Sequence, residues 1–302
     1  MLVVALLAAT GAAFALTQGL KTELSPIYGT DVAPVFSPLC GFDCEKASIE
    51  FKLRKNDRLD VEIVNGGDVV RTIESGRRYG AGPVVVAWDG RDDAGKLVPE
   101  GQYRPRVRLH DDRRVITLPN PIRIDVTPPE LQPISSTKLV FSPDGDGRAD
   151  RVVFRYRLDE PGRAMLLVDG KRVWLTLYPR ERDLLIWNGK VRGRLMRPGT
   201  YTARIVAFDR ARNLSAESRP FPVVLRYATL GRDRITVVAG SRFAVRVSSD
   251  AGTVRWRLGA RSGLARPGTL RLRAPLQKGQ FTLSVFANGH TARAAVFVRG
   301  PS

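Results

Sequence analysis

Trp88-Asp89-Gly90-Arg91-Asp92-Asp93-Ala94-Gly95-Lys96-Leu97-Val98-Pro99-Glu100-Gly101-Gln102-Tyr103 is the stretch that decides the fold. The run from Val84 to Trp88 is β-branched and ends in an aromatic, as a strand would. Asp89-Gly90 stops that strand, because glycine accepts positive φ and aspartate can bond its own backbone. Pro99-Glu100-Gly101 is a second turn. Beyond it Tyr103, Val107 and Leu109 fall at even spacing while Gln102, Arg104, Arg106 and Arg108 point the other way, the pattern of a strand buried on one face. The stretch reads as two strands joined by a compact turn, with Trp88 and Tyr103 facing the core.

The pattern returns as Trp187-Asn188-Gly189, then Gly193, then Pro198-Gly199-Thr200-Tyr201, with Tyr201, Ala203, Ile205 and Ala207 on one face. The strands upstream repeat with it. Phe154, Tyr156 and Leu158 correspond to Ile49, Phe51 and Leu53, and Ala164, Leu166 and Val168 to Leu59, Val61 and Ile63. Both copies resemble the immunoglobulin-like domain of the flagellar hook-capping protein and its relatives on secreted bacterial proteins, whose hallmark is Trp-Asp-Gly, a polar turn, then Pro-x-Gly-x-Tyr. The second copy carries Asn188 for the aspartate. The resemblance covers residues 46–226 and implies tandem immunoglobulin-like β-sandwiches. Its motif specifies a turn and a core rather than a reaction, so it implies a fold and no catalytic role. Nothing in the chain resembles the part of a hook-capping protein that engages the hook.

A chain of 302 residues with 43% hydrophobic content can build two or three domains, each with its own core. Its 28 Gly and 20 Pro punctuate short alternating runs, which argues an all-β chain. The N-terminus is the exception. Leu2 to Leu20 carries no charge and would span about 28 Å as a helix, so residues 1–20 read as a signal peptide or membrane anchor, and the chain as exported. Residues 21–45 read as a Pro-rich extended linker holding the only cysteines, Cys40 and Cys44, which form a small disulfide loop if the chain is exported or otherwise stay free thiols. Sandwiches follow at 46–127 and 130–226, separated by Thr127-Pro128-Pro129. A divergent third sandwich occupies 227–302 and ends on a hairpin turning at Asn288-Gly289.

The formal charge of +19 comes mainly from Arg. These residues alternate with core residues along many strands, so they read as solvated strand faces or as a surface for anionic polymers or lipid headgroups. The row Arg104, Arg106 and Arg108 is the example chosen for contact with an anionic envelope polymer or a partner protein. Nucleic acid fits less well, since the arginines are scattered and Trp88 and Trp187 read as buried.

One loop carries candidate metal chemistry. Asp144, Asp146 and Asp150 in Ser142-Pro143-Asp144-Gly145-Asp146-Gly147-Arg148-Ala149-Asp150 have the alternating spacing that wraps oxygens around Ca²⁺. Arg148, however, stands where such a loop wants Asp or Asn, and the twelfth position is Arg155 rather than Glu. The loop therefore reads first as an Asx turn, with a weak Ca²⁺ site as the alternative and no other cofactor expected. His110 and His290 are the only histidines and lie far apart in sequence, which offers no obvious general base for a triad. The expectation is a non-enzymatic rod that spaces or binds. An enzyme with an unrecognised loop site is the rival.

Overall fold

The computed structural model describes residues 24–40, 44–136 and 139–300, with six further positions near the N-terminus. The apolar helix expected over Leu2 to Leu20 is not supported. Most of that run lies outside the described residues, Val3, Leu6, Leu7, Ala9, Thr10 and Gly11 are helical, and no helix among the described residues is long and apolar enough to cross a membrane.

Elsewhere the described chain is strands and turns. It divides into two compact units, Met1–Thr127 with Arg210–Asn213, and Pro128–Asp209 with Leu214–Ser302. The first unit holds one hydrophobic core and the second holds two.

The first sandwich pairs a sheet of Ile27–Val32, Ala47–Leu53 and Gly82–Trp88 with a sheet ordered Val35–Phe36, Ile122–Ile124, Gly101–Leu109, Asp57–Asn65 and Asp68–Tyr79. The segment expected as a linker thus supplies two edge strands. Its first part pairs antiparallel with Ala47–Leu53, and its second pairs parallel with Ile122–Ile124 in the opposite sheet.

This split first strand recurs. In the second sandwich Leu131–Ser136 pairs antiparallel with Val152–Val168, while Val140–Phe141 runs parallel to Phe221–Leu225. In the third, Thr229–Leu230 pairs antiparallel with Arg242–Ser248, while Arg234–Val238 runs parallel to His290–Arg299. Three copies of one topology make the divergent third region the same kind of sandwich.

In the second sandwich one strand of 17 residues, Val152–Val168, serves both sheets. Its first part pairs with Arg180–Trp187 and its last part with Gly199–Phe208. Gly162 lies where it changes sheets, and a Cβ there would stand 2.9 Å from the carbonyl oxygen of Phe208.

The motif strands lie in opposite sheets, so the stretch between them is a corner that carries the chain across the core. Trp88 is 1% exposed, and its ring meets Phe36 at 5.8 Å and Tyr103 at 5.1 Å between centroids. Trp187 meets Phe141 at 5.1 Å and Tyr201 at 5.5 Å. Each indole nitrogen donates to a turn carbonyl, Trp88 to Arg91 at 2.9 Å and Trp187 to Lys190 at 3.0 Å. Each tyrosine hydroxyl donates four residues back, Tyr103 to Pro99 at 2.8 Å and Tyr201 to Arg197 at 2.6 Å. That is the tyrosine corner of immunoglobulin-like sandwiches.

Gly90 has a φ of +73° and Gly189 one of +80°, and a Cβ would stand 2.4 Å from Cγ of Pro38 in one corner and 2.8 Å from Cγ of Pro143 in the other. Both prolines end a Phe-Ser-Pro run, Phe36-Ser37-Pro38 and Phe141-Ser142-Pro143, which belongs to the repeat as much as the tryptophans do. In the third sandwich Phe281 takes the tyrosine's place in Gly279–Ala287, so the ring is kept and the hydroxyl is not.

Trp88→Ala lowers the stability of the first unit by about 3–5 kcal/mol, the sum of lost transfer energy and the cavity left behind. Tyr103→Phe removes the hydroxyl's bonds to the Pro99 carbonyl and to the Asn65 side chain while keeping the ring, and costs about 0.5–1.5 kcal/mol. Denaturant unfolding of the two variants measures both. An unchanged midpoint in Tyr103→Phe would show that the hydroxyl contributes nothing to the corner.

Candidate functional site

The loop from Ser142 to Asp150 leaves Val140–Phe141 and enters Val152–Val168. Three of its residues have positive φ, Gly145 at +83°, Gly147 at +81° and Ala149 at +50°, so successive amides turn inward onto the aspartates. Asp150 accepts from the amides of Gly145 at 2.7 Å and Gly147 at 2.8 Å, and Asp146 accepts from that of Arg148 at 2.8 Å. The result is the Asx-type turn expected from the sequence. It also brings one carboxylate oxygen from each of Asp144, Asp146 and Asp150 within 4.8 Å of the others.

Two observations go beyond that expectation. Arg148 does not point into the carboxylates: its guanidinium lies over Gly252 of the third sandwich, one nitrogen 3.2 Å from where a Cβ would be. Asn288, at φ +46° in the hairpin turn, donates Nδ2 to Asp144 at 3.1 Å and to Asp146 at 2.8 Å. In sequence Asn288 was legible only as a turn residue. Its contact depends on how the second and third sandwiches pack within their shared unit.

Burial pushes the Asp144 carboxyl above its ordinary range. The hydrogen bond from Asn288 opposes that push, and the charges of Asp146 and Asp250 add to it. Burial, with the Asp144 charge behind it, likewise raises the hydroxyl of Tyr227, which is 6% exposed. The three carboxylates offer oxygens of the kind a hard divalent cation takes, whereas Asn288 turns its N–H donors toward them. Bound there, such a cation would supply positive charge to a cluster that costs free energy when all its members ionise.

In the row Arg104, Arg106 and Arg108, two of the three guanidiniums have acidic partners. Cross-strand register sets Glu62 opposite Arg106 and Asp60 opposite Arg108. Arg106 pairs with Glu62 at 2.8 Å, and Arg108 with Asp60 at 3.6 Å. Among the described residues Arg104 has no ion pair. Asp60 also meets His110 at 3.0 Å; burial alone would raise its pKa, but the His110 and Gly76 hydrogen bonds and nearby positive charge hold it below the ordinary range. Cys40 and Cys44 form a disulfide with Cα atoms 6.2 Å apart.

Residues 42–112 match the FlgD Ig-like domain. This is the hook-capping immunoglobulin-like type that the first motif copy resembles. No curated protein matches the chain. Among solved structures, the fibronectin(III)-like modules of Clostridium thermocellum CbhA align at 13% identity and a TM-score of 0.38, over 66% of this chain and 94% of theirs. The I9–I11 tandem of titin aligns at 10% identity and a TM-score of 0.32, over 91% of this chain and 99% of its own. A 1.5-MDa bacterial ice-binding adhesin aligns at 12% identity and a TM-score of 0.28, over 93% of this chain and 100% of the solved fragment. The fold assignment rests on the corner, the repeated split strand and the family match.

The raised Asp144 pKa fixes the sign of a pH effect. A carboxyl whose pKa is higher folded than unfolded contributes stability below its unfolded pKa, and that contribution is lost as pH rises through the folded value. At neutral pH and without divalent ions, Asp144→Asn therefore raises the melting temperature of the second unit. The gain shrinks as pH falls through the raised pKa, and Ca²⁺ stabilises the parent more than the variant. Thermal scans in chelator and in Ca²⁺ across pH check this; a variant less stable than the parent at neutral pH in chelator would refute it.

Proposed function

We propose that the chain is an exported, non-enzymatic tandem of immunoglobulin-like sandwiches that spaces or binds partners at the cell envelope. The observation that carries this reading is the use made of the polar residues in the motif and in the first sandwich around it. Asp89 accepts from the Arg91 amide at 3.2 Å, Tyr103 holds Pro99, and Asp57 accepts from the amides of Asp111 at 2.8 Å and Asp112 at 3.0 Å. Each ties a turn. The two histidines are engaged separately, His110 with Asp60 and His290 stacked on Tyr227 with ring centroids 3.3 Å apart. Such residues build a scaffold, and a scaffold acts through its surface and its length. The uncharged run at the N-terminus and the Cys40–Cys44 disulfide support export.

The partner in this reading carries negative charge, because an exported chain of +19 meets polyanionic envelope material first. Incubating the purified chain with isolated cell envelopes at low and high salt tests it. Retention at low salt falls when salt rises, since exposed charges are screened beyond about 8 Å at physiological ionic strength. Retention indifferent to salt would point to an apolar interface, and recovery of the native protein from cytoplasm with Met1 retained would refute export.

A further inference from the structure

Charge is divided unevenly along the chain. Residues 227–302 carry thirteen Lys and Arg against two Asp and no Glu, a net +11 of the chain's +19. The third sandwich gathers part of this on one sheet face. Arg242–Ser248 and Gly268–Arg273 pair antiparallel, with Arg242 directly opposite Arg273 and Ala244 opposite Arg271. Alternation turns Val245, Val247, Leu270 and Leu272 into the core and Arg242, Arg246, Arg271 and Arg273 outward. Among the described residues none of these four forms an ion pair, as holds for the other arginines of this sandwich and in contrast to Arg106 and Arg108. A groove of about 630 Å³ lies at three of them, lined by Arg242, Phe243, Ala244, Arg271, Leu272 and Arg273.

Like charges set directly opposite on paired strands destabilise a sheet. The face therefore bears a repulsion that a bound anion would relieve, and guanidinium groups bind phosphate, sulfate or carboxylate oxygens in bidentate fashion. Arg271 and Arg273 are two residues apart on one strand, a spacing of about 6.6 Å, which matches a chain of closely repeated anionic groups. The outward positions between the arginines are small, Ala244, Ser248 and Thr269, while Phe243 and Leu272, which also line the groove, alternate toward the core.

We propose that this sheet face of the third sandwich binds a linear polyanion, a polymer of closely spaced phosphate, sulfate or carboxylate groups laid along Arg242, Arg246, Arg271 and Arg273. The inference rests on the reading of the chain as an envelope-binding scaffold and names the surface and the chemistry of its partner.

The test uses the full chain and two double variants of equal charge. Arg271→Gln with Arg273→Gln alters the proposed face, and Arg255→Gln with Arg257→Gln alters exposed positions on the other sheet of the same sandwich. Titration calorimetry with inorganic polyphosphate is expected to show binding that the first pair weakens about tenfold or more and the second less than about twofold, with weaker salt dependence in the first. Equal losses in both variants would mean diffuse charge attraction and overturn the assignment, as would no loss in either or no binding by the parent. Capture by phosphatidylglycerol vesicles but not by polyphosphate would replace the polymer with a lipid surface. Thermal unfolding of each variant checks that its fold persists. Envelope retention unchanged in the Arg271/Arg273 variant would refute this face alone and leave the scaffold reading standing.

Discussion

A sandwich must move its chain from one sheet to the other without leaving buried backbone groups unpaired, and in the first two sandwiches a single corner meets that constraint. The indole fills the space between sheets while its N–H closes the turn it leaves. The tyrosine covers the indole from the opposite sheet, and its hydroxyl bonds the carbonyl of the second turn. Glycine is required because the proline of the split first strand lies where a side chain would be. Three segments, around Pro38, Trp88 to Gly90, and Tyr103, thus meet at one corner, which explains why tryptophan, glycine, proline and tyrosine recur together. The third sandwich keeps the topology with Phe281 and no corner hydroxyl, so packing of its own core holds that crossing.

Much of this was legible because burial alternates with period two. Ile49, Phe51, Leu53, Leu59, Val61 and Ile63 are buried as the alternation requires, and so are Phe154, Tyr156, Leu158, Ala164, Leu166 and Val168. The edge strands in 25–38 were hidden by their prolines and by their division between two sheets, although Phe-Ser-Pro in both repeats was a signal available in the sequence. The continuous strand Val152–Val168 was hidden because Pro161-Gly162 looks like a turn. There glycine serves close approach to another strand instead.

The candidate sites were harder to read for a related reason: a side chain's partners depend on register and packing. Arg104, Arg106 and Arg108 look equivalent along their own strand, yet the neighbouring strand places Glu62 and Asp60 against two of them. Arg242 and Arg273 lie 31 positions apart, and only pairing makes them neighbours. The spacing of Asp144, Asp146 and Asp150 was visible, but the courses of Arg148 and Asn288 were set by the third sandwich.

These two electrostatic features bear on each other. The Asp144 loop gathers three carboxylates beside a sandwich of net +11; that sandwich meets the loop through the neutral amide of Asn288, and the loop's own Arg148 lies along Gly252. The third sandwich acts on Asp144 in two opposed ways, since the Asn288 hydrogen bond favours its ionised form and the charge of Asp250 opposes it. Among the described residues no arginine of the third sandwich forms an ion pair, and Arg242 and Arg273 stand directly opposite each other on paired strands. In the first sandwich arginine is matched by acids across the strand and works as a structural residue. In the third, two aspartates cannot match thirteen basic side chains, so its excess charge is available to a partner from outside the chain.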